Sequence, residues 1–332
     1  MIRVSKKLVV RILVTAILVG AICLHIDFED FSGGLKLVSL RTVVVASLFY
    51  TLGQIISAAK WRLFLEKAGM FRGIFMLNHA YFLGMFINTF GLGTVGGDVA
   101  RALLLKPDKD ERAGAFASVI ADRVHGLAVL LIIGAVAIIA MRPGVLGNFE
   151  VILAVLGILA TLVCWFGGAE ILHIVANFLQ SKKSGHDSGD APANLGNFRD
   201  KILSFADDIA LTFKLSHLNL AKATLLSVIM HFMHIYMYYI IATSLGVHIN
   251  FSYLCVIVPV VNVASSLPIS INGIGVRESL LILLSAEQVT NAVGTAPIAP
   301  ETAVLTGILF TLIVTLVSGI GGIFCSLVSK WK

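Results

Sequence analysis

The sequence predicts an all-α fold, a polytopic transmembrane helical bundle of about eight to nine membrane segments. Of its 332 residues, 58% are hydrophobic and only 13% are charged, and the mean hydropathy is +0.94. Soluble globular domains carry about 25% charged residues. Apolar runs of roughly 20 residues recur along the chain, and each is long enough to cross about 30 Å of hydrocarbon as a helix. The predicted spans are Leu8–Ile26, Leu37–Ala59, Gly73–Phe90, Ala113–Met141, Val151–Ala169, Leu220–Val247, Phe251–Leu267, Ile269–Ala286 and Thr302–Val328.

The polar segments between these spans are too short for a soluble domain, so residues 1–332 are expected to form a single integral membrane domain. The longest polar segment, 181–197, has turn and linker composition and is predicted to be a cytoplasmic loop. The next segment, 198–214, has apolar residues at helical spacing on one face, which is typical of an amphipathic helix at the membrane interface. The four cysteines lie far apart in apolar segments. They are expected to be small buried residues rather than disulfides or metal ligands.

The basic residues predict the orientation in the membrane. The net charge is +6, but Lys and Arg cluster at the ends of apolar segments, which argues against a nucleic acid-binding groove. Both termini are predicted to be cytoplasmic, in a multi-pass protein of the cell (inner) membrane. Leu8–Ile26 is expected to be an uncleaved first helix, because no A-x-A site follows it. The basic residues assigned to the cytoplasmic side are Arg3, Lys6, Lys7, Arg11, Lys60, Arg62, Lys67, Arg72, Lys106, Lys109, Arg112, Lys182, Lys183, Arg199, Lys201, Lys214, Lys222, Lys330 and Lys332.

Two of the predicted hairpins are interrupted by glycine and polar residues. In this topology the hairpin Gly73–Lys106 starts and ends on the cytoplasmic side and has a break near Gly91–Gly97. The hairpin Phe251–Ala286 starts and ends on the opposite side of the membrane and has a break near Leu267–Gly275. Non-helical backbone at membrane depth is tolerated only where it is buried in protein or lines a wet cavity. Broken hairpins of inverted topology therefore indicate a transporter binding site near the midplane.

Several charged residues lie within or beside the apolar runs. Inserting one central Arg or Asp costs about 2.5–3.5 kcal/mol, so these groups are expected to pair or to face water. In one interpretation they form structural pairs, Asp98 or Asp122 with Arg101, and Glu278 with Arg277 or Arg123. In the other, the arginines hold an anionic headgroup, because the guanidinium fork binds phosphate in two places and backbone N–H groups at the breaks assist it. Both interpretations remain open, and the candidate substrate-binding residues are Gly96, Gly97, Asp98, Arg101, Asp122, Arg123, Asn272, Gly275, Arg277 and Glu278.

Three motifs carry a resemblance to a known family. They are "GGDVARALLL" (Gly96–Leu105), "DRVHGLAVLL" (Asp122–Leu131) and "LPISINGIGVRESLLILL" (Leu267–Leu284). The order and spacing of these motifs resemble those of the flippase-like integral membrane family typified by the transmembrane region of lysylphosphatidylglycerol synthases. The resemblance covers nearly the whole chain. The resemblance implies a lipid-translocating bundle, either fused to a cytosolic aminoacyl-transfer domain or standing alone. The sequence contains no such soluble domain, so lysyl-transferase activity is not expected. It also lacks the family's proline before the glycine pair, and Gly91 and Gly93 are expected to supply the break.

The leading functional hypothesis is lipid translocation, with an anionic phospholipid or aminoacyl-phospholipid headgroup bound in a polar intramembrane cavity. Alternatives are translocation of a polyprenyl-phosphate-linked glycolipid, an intramembrane transferase with Asp98, Asp122 or Glu278 as base, or a partner subunit of a glycosyltransferase. An enzyme is not expected, because neither a nucleophile nor a metal cluster is evident at the breaks.

His231 and His234 lack a third ligand and are expected to be hydrogen-bonded inside the bundle, so no metal and no cofactor is predicted. Anionic membrane lipids are the expected partners; a separate lipid-modifying enzyme and a homo-oligomer are left open.

Overall fold

The computed structural model describes residues 6–91, 94–141, 211–267, 269–286 and 297–329, together with 149, 151, 152, 154–159, 161, 162, 165, 207, 209 and 290. The predicted loop 181–197, and most of the predicted span Val151–Ala169 and of the predicted interfacial helix 198–214, lie outside the described residues. The longer helices are α1 (Lys6–His25), α2 (Phe28–Leu37), α3 (Leu40–Lys67), α4 (Ile74–Phe90), α5 (Thr94–Leu103), α6 (Arg112–Met141), α7 (His217–Ser244), α8 (Phe251–Ser266), α9 (Val276–Ser285) and α10 (Pro300–Ser329).

The all-α, multi-pass membrane fold predicted from composition is confirmed. Within the described part of the chain, α3, α6, α7 and α10 are each long and apolar enough to cross a membrane, and the bent pair formed by α1 and α2 adds a fifth span if it is taken as one. The count of eight to nine segments stays a prediction. The predicted span Ile269–Ala286 is wrong as a continuous helix, since regular helix begins only at Val276 and lasts 10 residues.

Helices α3, α6 and α7 form a scaffold in which α3 runs antiparallel to both of the others. The indole N–H of Trp61 donates to Ser118 on α6 over 3.1 Å, and Gln54 and Lys60 lie beside His234 and Ser227 of α7, respectively. Serine side chains begin two of these helices: Ser39 accepts from the Thr42 N–H of α3 and Ser216 from the Asn219 N–H of α7, which satisfies N–H groups that the helix itself leaves free. Because α3 and α7 are antiparallel, their C-terminal ends lie at opposite ends of the bundle.

The first hairpin, α4 and α5, continues from the C-terminal end of α3. Its arms are packed closely through two glycines: a Cβ on Gly97 would lie 2.0 Å from the Gly84 carbonyl oxygen, so no larger residue fits. The Gly97 N–H donates to Asn88 Oδ1 over 2.8 Å, and at the base of the hairpin Arg72 Nε donates to the Leu105 carbonyl. Helix α4 ends at Phe90, with Gly91 as its C-cap, and α5 begins at Thr94.

The predicted first break is therefore present but shorter than expected. Gly96 and Gly97 lie inside α5 rather than in the break, where Gly97 allows the two arms to approach each other.

The second hairpin, α8 and α9, continues from the C-terminal end of α7, and so enters from the other end of the bundle. The Tyr253 hydroxyl donates to the Leu284 carbonyl and joins the two arms. Between the arms the chain adopts left-handed backbone at Asn272 (φ 53°), Gly273 (φ 74°) and Gly275 (φ 83°), a region that glycine and asparagine tolerate best. The predicted inverted arrangement of two broken hairpins is thus present in the fold.

Candidate functional site

A polar cavity of about 470 Å³ lies where the tips of the two hairpins meet the scaffold helices. The tip of the first hairpin contributes Asn88, Thr89, Gly97 and Asp98, and the second contributes Ser266 and Asn272. Among the described residues that line it, the charged ones come from α3, α5 and α6: Lys60, Asp98, Arg101, Asp122 and Arg123. The cavity therefore contains charges of both signs.

Asp122 is held between two cations in the inner part of this cavity. Its Oδ1 lies 3.0 Å from Lys60 Nζ and its Oδ2 lies 3.0 Å from Arg101 Nη2. The three side chains are at most 5% exposed. Lys60 Nζ also donates to the Asp122 carbonyl oxygen over 3.0 Å. Two cations sharing one carboxylate leave one positive charge uncompensated within this group.

Arg101 is fixed in position by aromatic rings as well as by Asp122. Its guanidinium carbon lies 4.5 Å from the centre of the Trp61 ring and 4.7 Å from that of Tyr81, distances at which a cation is attracted to the ring face. Its Nε is buried and has no hydrogen-bond partner. A buried donor without a partner is costly, so a rearrangement that brings an acceptor to Nε would be favourable.

Arg123 and Asp98 form a second ion pair, nearer to the opening. Both nitrogens of the contact, Nε and Nη2, lie 2.7 Å from a carboxylate oxygen, which is the two-pronged geometry that Arg favours. The Arg123 side chain is 50% exposed and that of Asp98 23%. This pair is therefore far more accessible than the Asp122 group.

The lining carries a formal charge of +1, because three cations (Lys60, Arg101, Arg123) face two carboxylates (Asp98, Asp122). The side of the cavity formed by the second hairpin is uncharged and presents the amides of Asn262 and Asn272. The cavity can thus accept a group with one negative charge without leaving an unbalanced charge at membrane depth.

Arg277 and Glu278 do not line this cavity. Arg277 Nη1 donates to Thr311, and its guanidinium carbon lies 4.9 Å from the centre of the Phe310 ring. Glu278 Oε2 accepts the Gly275 N–H over 2.7 Å and so caps the start of its own helix.

Of the pairings expected from sequence, Asp122 with Arg101 is present. The expected pairing of Glu278 with Arg277 or Arg123 is wrong, because Arg123 is taken by Asp98 and Glu278 by the Gly275 N–H. A carboxylate three residues after the start of a helix reaches back to the free N–H at that start, and this local contact replaces the ion pair.

The glycines expected to donate N–H groups to an anion are already engaged. Gly97 N–H binds Asn88 and Gly275 N–H binds Glu278. Gly96 is exposed on α5 and is absent from the cavity lining. Asn272 does line the cavity, held there by its left-handed backbone.

The predicted span Leu37–Ala59 ends just before Lys60, and this boundary is wrong; the cytoplasmic side assigned to Lys60 stays a prediction. Helix α3 continues to Lys67 and buries Lys60 to 3% exposure. The signal in the sequence is the apolar face that persists after Lys60, at Trp61, Phe64 and Leu65, which has helical spacing. Apolar residues beyond a lysine indicate that the helix has not yet left the protein interior.

His231 and His234 of α7 are hydrogen-bonded inside the bundle, as expected. His231 Nε2 lies 2.8 Å from the Gly126 carbonyl oxygen, and His234 Nε2 lies 3.3 Å from Gln54 Nε2. In the described ranges, no group of three or more His, Cys, Asp or Glu side chains is arranged to hold a metal ion.

Comparison with known proteins agrees with the resemblance seen in the motifs. No curated protein matches the sequence. The family model described as the lysylphosphatidylglycerol synthase TM region matches residues 8–322, and this family implies a membrane protein related to lipid modification or flipping. The match includes both hairpins and every charged residue of the cavity. The chain therefore belongs to the family of lysylphosphatidylglycerol synthase transmembrane regions.

Proposed function

We propose that this protein translocates lipids and takes an anionic phospholipid or aminoacyl-phospholipid headgroup through the polar cavity. The observation that carries the proposal is the position and charge of that cavity: it lies at the tips of two inverted hairpins and its lining sums to +1. A headgroup phosphate cannot cross hydrocarbon without replacements for its hydration. Arg123 and Arg101 supply such contacts, while the acyl chains stay in the surrounding lipid.

Within the cavity the two ion pairs have different roles in this proposal. Arg123 is half exposed and meets the headgroup first, exchanging Asp98 for phosphate, since both are bound by the same guanidinium fork. Arg101, deeper inside and only 5% exposed, is already oriented by Trp61, Tyr81 and Asp122. Such orientation before binding reduces the entropy that binding must overcome.

Transport is favoured over a transferase reaction by the state of the carboxylates. Asp122 contacts two cations, Asp98 is bound by Arg123, and Glu278 accepts a backbone N–H. A general base must be within reach of a substrate proton and free to accept it. We therefore propose that the protein is not an enzyme and that any modification of the lipid is carried out by a separate one.

Translocation of a polyprenyl-phosphate-linked glycolipid is a second candidate. It presents the same phosphate to the cationic side, and the amides of Asn262 and Asn272 on the other side suit sugar hydroxyls.

In either case we propose the cell membrane as the location, with both termini in the cytoplasm, as the distribution of basic residues predicts.

The test compares two variants that break the same ion pair and change the cavity charge in opposite directions. Arg123→Gln lowers the formal charge of the lining from +1 to 0 and Asp98→Asn raises it from +1 to +2, both counted over the lining residues. We expect Arg123→Gln to slow the transfer of a fluorescent anionic phospholipid across proteoliposomes several-fold. Asp98→Asn should retain or increase it. Protein content and orientation in the vesicles, matched between the variants, are the controls for reconstitution. Equal loss in both variants would mean that the pair only supports the fold, and the proposal would be wrong.

A further inference from the structure

A second recess, here called the lateral groove, lies on the wall formed by α3, α4 and α10. Its volume is about 870 Å³, and its lining is almost wholly apolar. Val44, Leu48 and Ile320 in this lining are 50%, 57% and 63% exposed, so the described part of the protein leaves the groove unfilled. The groove and the polar cavity share no lining residue, although α3, α4 and α10 contribute residues to both.

The groove extends from one end of the bundle to the other. On α3 it runs from Leu40, the first residue of the helix, to Ile55, which is about 22 Å at 1.5 Å per residue. Helix α3 has 28 residues and is about 42 Å long, so with its centre at the middle of the ~30 Å hydrocarbon core the groove reaches the midplane on α3 at about Ile55. It continues along α4 at Phe82, His79 and Phe75. Phe75 lies in the first turn of α4, next to the opposite end of α3.

Two features make the groove more than a gap between helices. A Cβ on Gly321 would lie 2.5 Å from Phe82 Cδ1, so the absence of a side chain there lets the Phe82 ring lie back against α10. The Ser47 hydroxyl in the lining is buried and has no hydrogen-bond partner. With α3 centred in this way, about 6 Å of the helix lies outside the hydrocarbon at each end. Ser47, about 10 Å along the helix from Leu40, then lies about 4 Å inside the hydrocarbon, next to the level of the glycerolipid ester carbonyls.

We propose that the lateral groove binds an acyl chain of an ester-linked glycerolipid, with the Ser47 hydroxyl donating to an ester carbonyl. The occupant follows from the surroundings: an apolar channel that is open along a membrane-facing wall and longer than a leaflet fits an extended hydrocarbon chain. A chain seated there contacts α3, α4 and α10, and each of these helices also contributes residues to the polar cavity. The site does not require that the polar cavity transport a headgroup.

The test uses the full-length protein in phosphatidylcholine vesicles doped with phosphatidylcholine that carries a diazirine at the end of one acyl chain. After illumination, mass spectrometry maps the labelled peptides. The groove-filled variant is Val44→Trp with Leu48→Trp. The matched control is Leu131→Trp with Val136→Trp on α6, where both side chains are exposed and line neither recess.

We expect labelling of the α3 and α10 groove peptides to exceed that of α6 several-fold, to fall several-fold in the groove-filled variant and to be unchanged in the control. Labelling spread equally over α6, or no loss on filling the groove, would overturn the proposal. If filling the groove instead converts a dimer into a monomer, a second copy covers this face and the proposal is wrong.

Ser47→Ala separates the ester contact from the apolar fit. It should reduce labelling by the ester-linked probe and leave labelling by an ether-linked analogue unchanged; equal loss with both probes would remove Ser47 from the site. Because the probe headgroup is zwitterionic and no transfer is measured, these outcomes do not depend on the Arg123 and Asp98 experiment.

Discussion

The two hairpins carry similar sequence signals and use them differently. Each has a glycine-rich break and charged residues just after it. In the first hairpin the charges, Asp98 and Arg101, line the polar cavity and pair with residues of another helix, α6. In the second, Arg277 and Glu278 are bound by Thr311 and by the backbone of their own helix, and the hairpin presents only uncharged groups to the cavity.

The difference follows from where each helix begins relative to its charges. Glu278 is three residues after Gly275 and accepts a hydrogen bond from the Gly275 N–H, so its carboxylate caps the start of α9. Asp98 and Arg101 lie further inside α5, one turn apart, beyond the reach of the helix start. Their side chains must find partners on another helix, and those partners, Arg123 and Asp122, are adjacent on α6. A charged residue near a helix break is therefore evidence for a ligand site only where it does not cap the start of its own helix.

The largest effect is expected from Asp122→Asn. It leaves Lys60 and Arg101 buried without a carboxylate, and removing one partner of a buried pair costs about 3–5 kcal/mol. Asp98→Asn is the comparison, because its partner Arg123 is half exposed and pairs of that kind contribute about 0–1 kcal/mol. The measurement is the free energy of unfolding in mixed micelles. Similar losses in the two variants would contradict the division into a buried and an accessible pair.

The next effect concerns the glycine contact inside the first hairpin. Gly97→Ala places a Cβ 2.0 Å from the Gly84 carbonyl oxygen, so the arms must separate, and overpacking of this kind costs about 1–3 kcal/mol. Gly96→Ala is the matched control, since its nearest neighbour lies at 3.7 Å. The difference in melting temperature between the two variants measures the contact. If both melt alike, the close approach of α4 and α5 is not a feature of the folded protein.

The smallest effects are expected in the second hairpin at Glu278. Glu278→Gln keeps an oxygen that can accept the Gly275 N–H and should change both stability and lipid transfer little. Glu278→Ala removes the acceptor and should cost about 0.5–2 kcal/mol, as the loss of a helix cap does. Lipid transfer by the folded fraction should be unchanged in both. A strong loss of transfer in the Gln variant would show that the charge itself is needed there.

Much of this architecture can be predicted from the sequence, because it depends on local composition. Apolar length predicts the spanning helices, and glycines with positive φ, such as Gly273 and Gly275, mark the second break. The burial of Lys60 could not be predicted from charge alone, because it depends on how far α3 extends beyond the lysine before leaving the bundle.

Choosing between ion partners was not possible from the sequence, because several candidates of opposite sign were available at similar depth. Asp122 was expected to pair with one cation and contacts two. Glu278 was expected to pair with an arginine, and a backbone N–H close in sequence binds it instead. Spacing along one helix identifies the residues of a site, but the packing of neighbouring helices decides which of them meet.

The central claim is that the first hairpin, and not the second, presents its arginine to the ligand. The most direct test compares Arg101→Lys with Arg277→Lys in the transfer of a fluorescent anionic phospholipid across proteoliposomes, at matched protein content and with melting temperatures measured for both. Lysine keeps the charge but loses the planar fork and its stacking between Trp61 and Tyr81. At position 277 it can still donate to Thr311 and lie over Phe310. We expect Arg101→Lys to lose most of the transfer and Arg277→Lys to retain nearly all of it, and the reverse order would contradict the account.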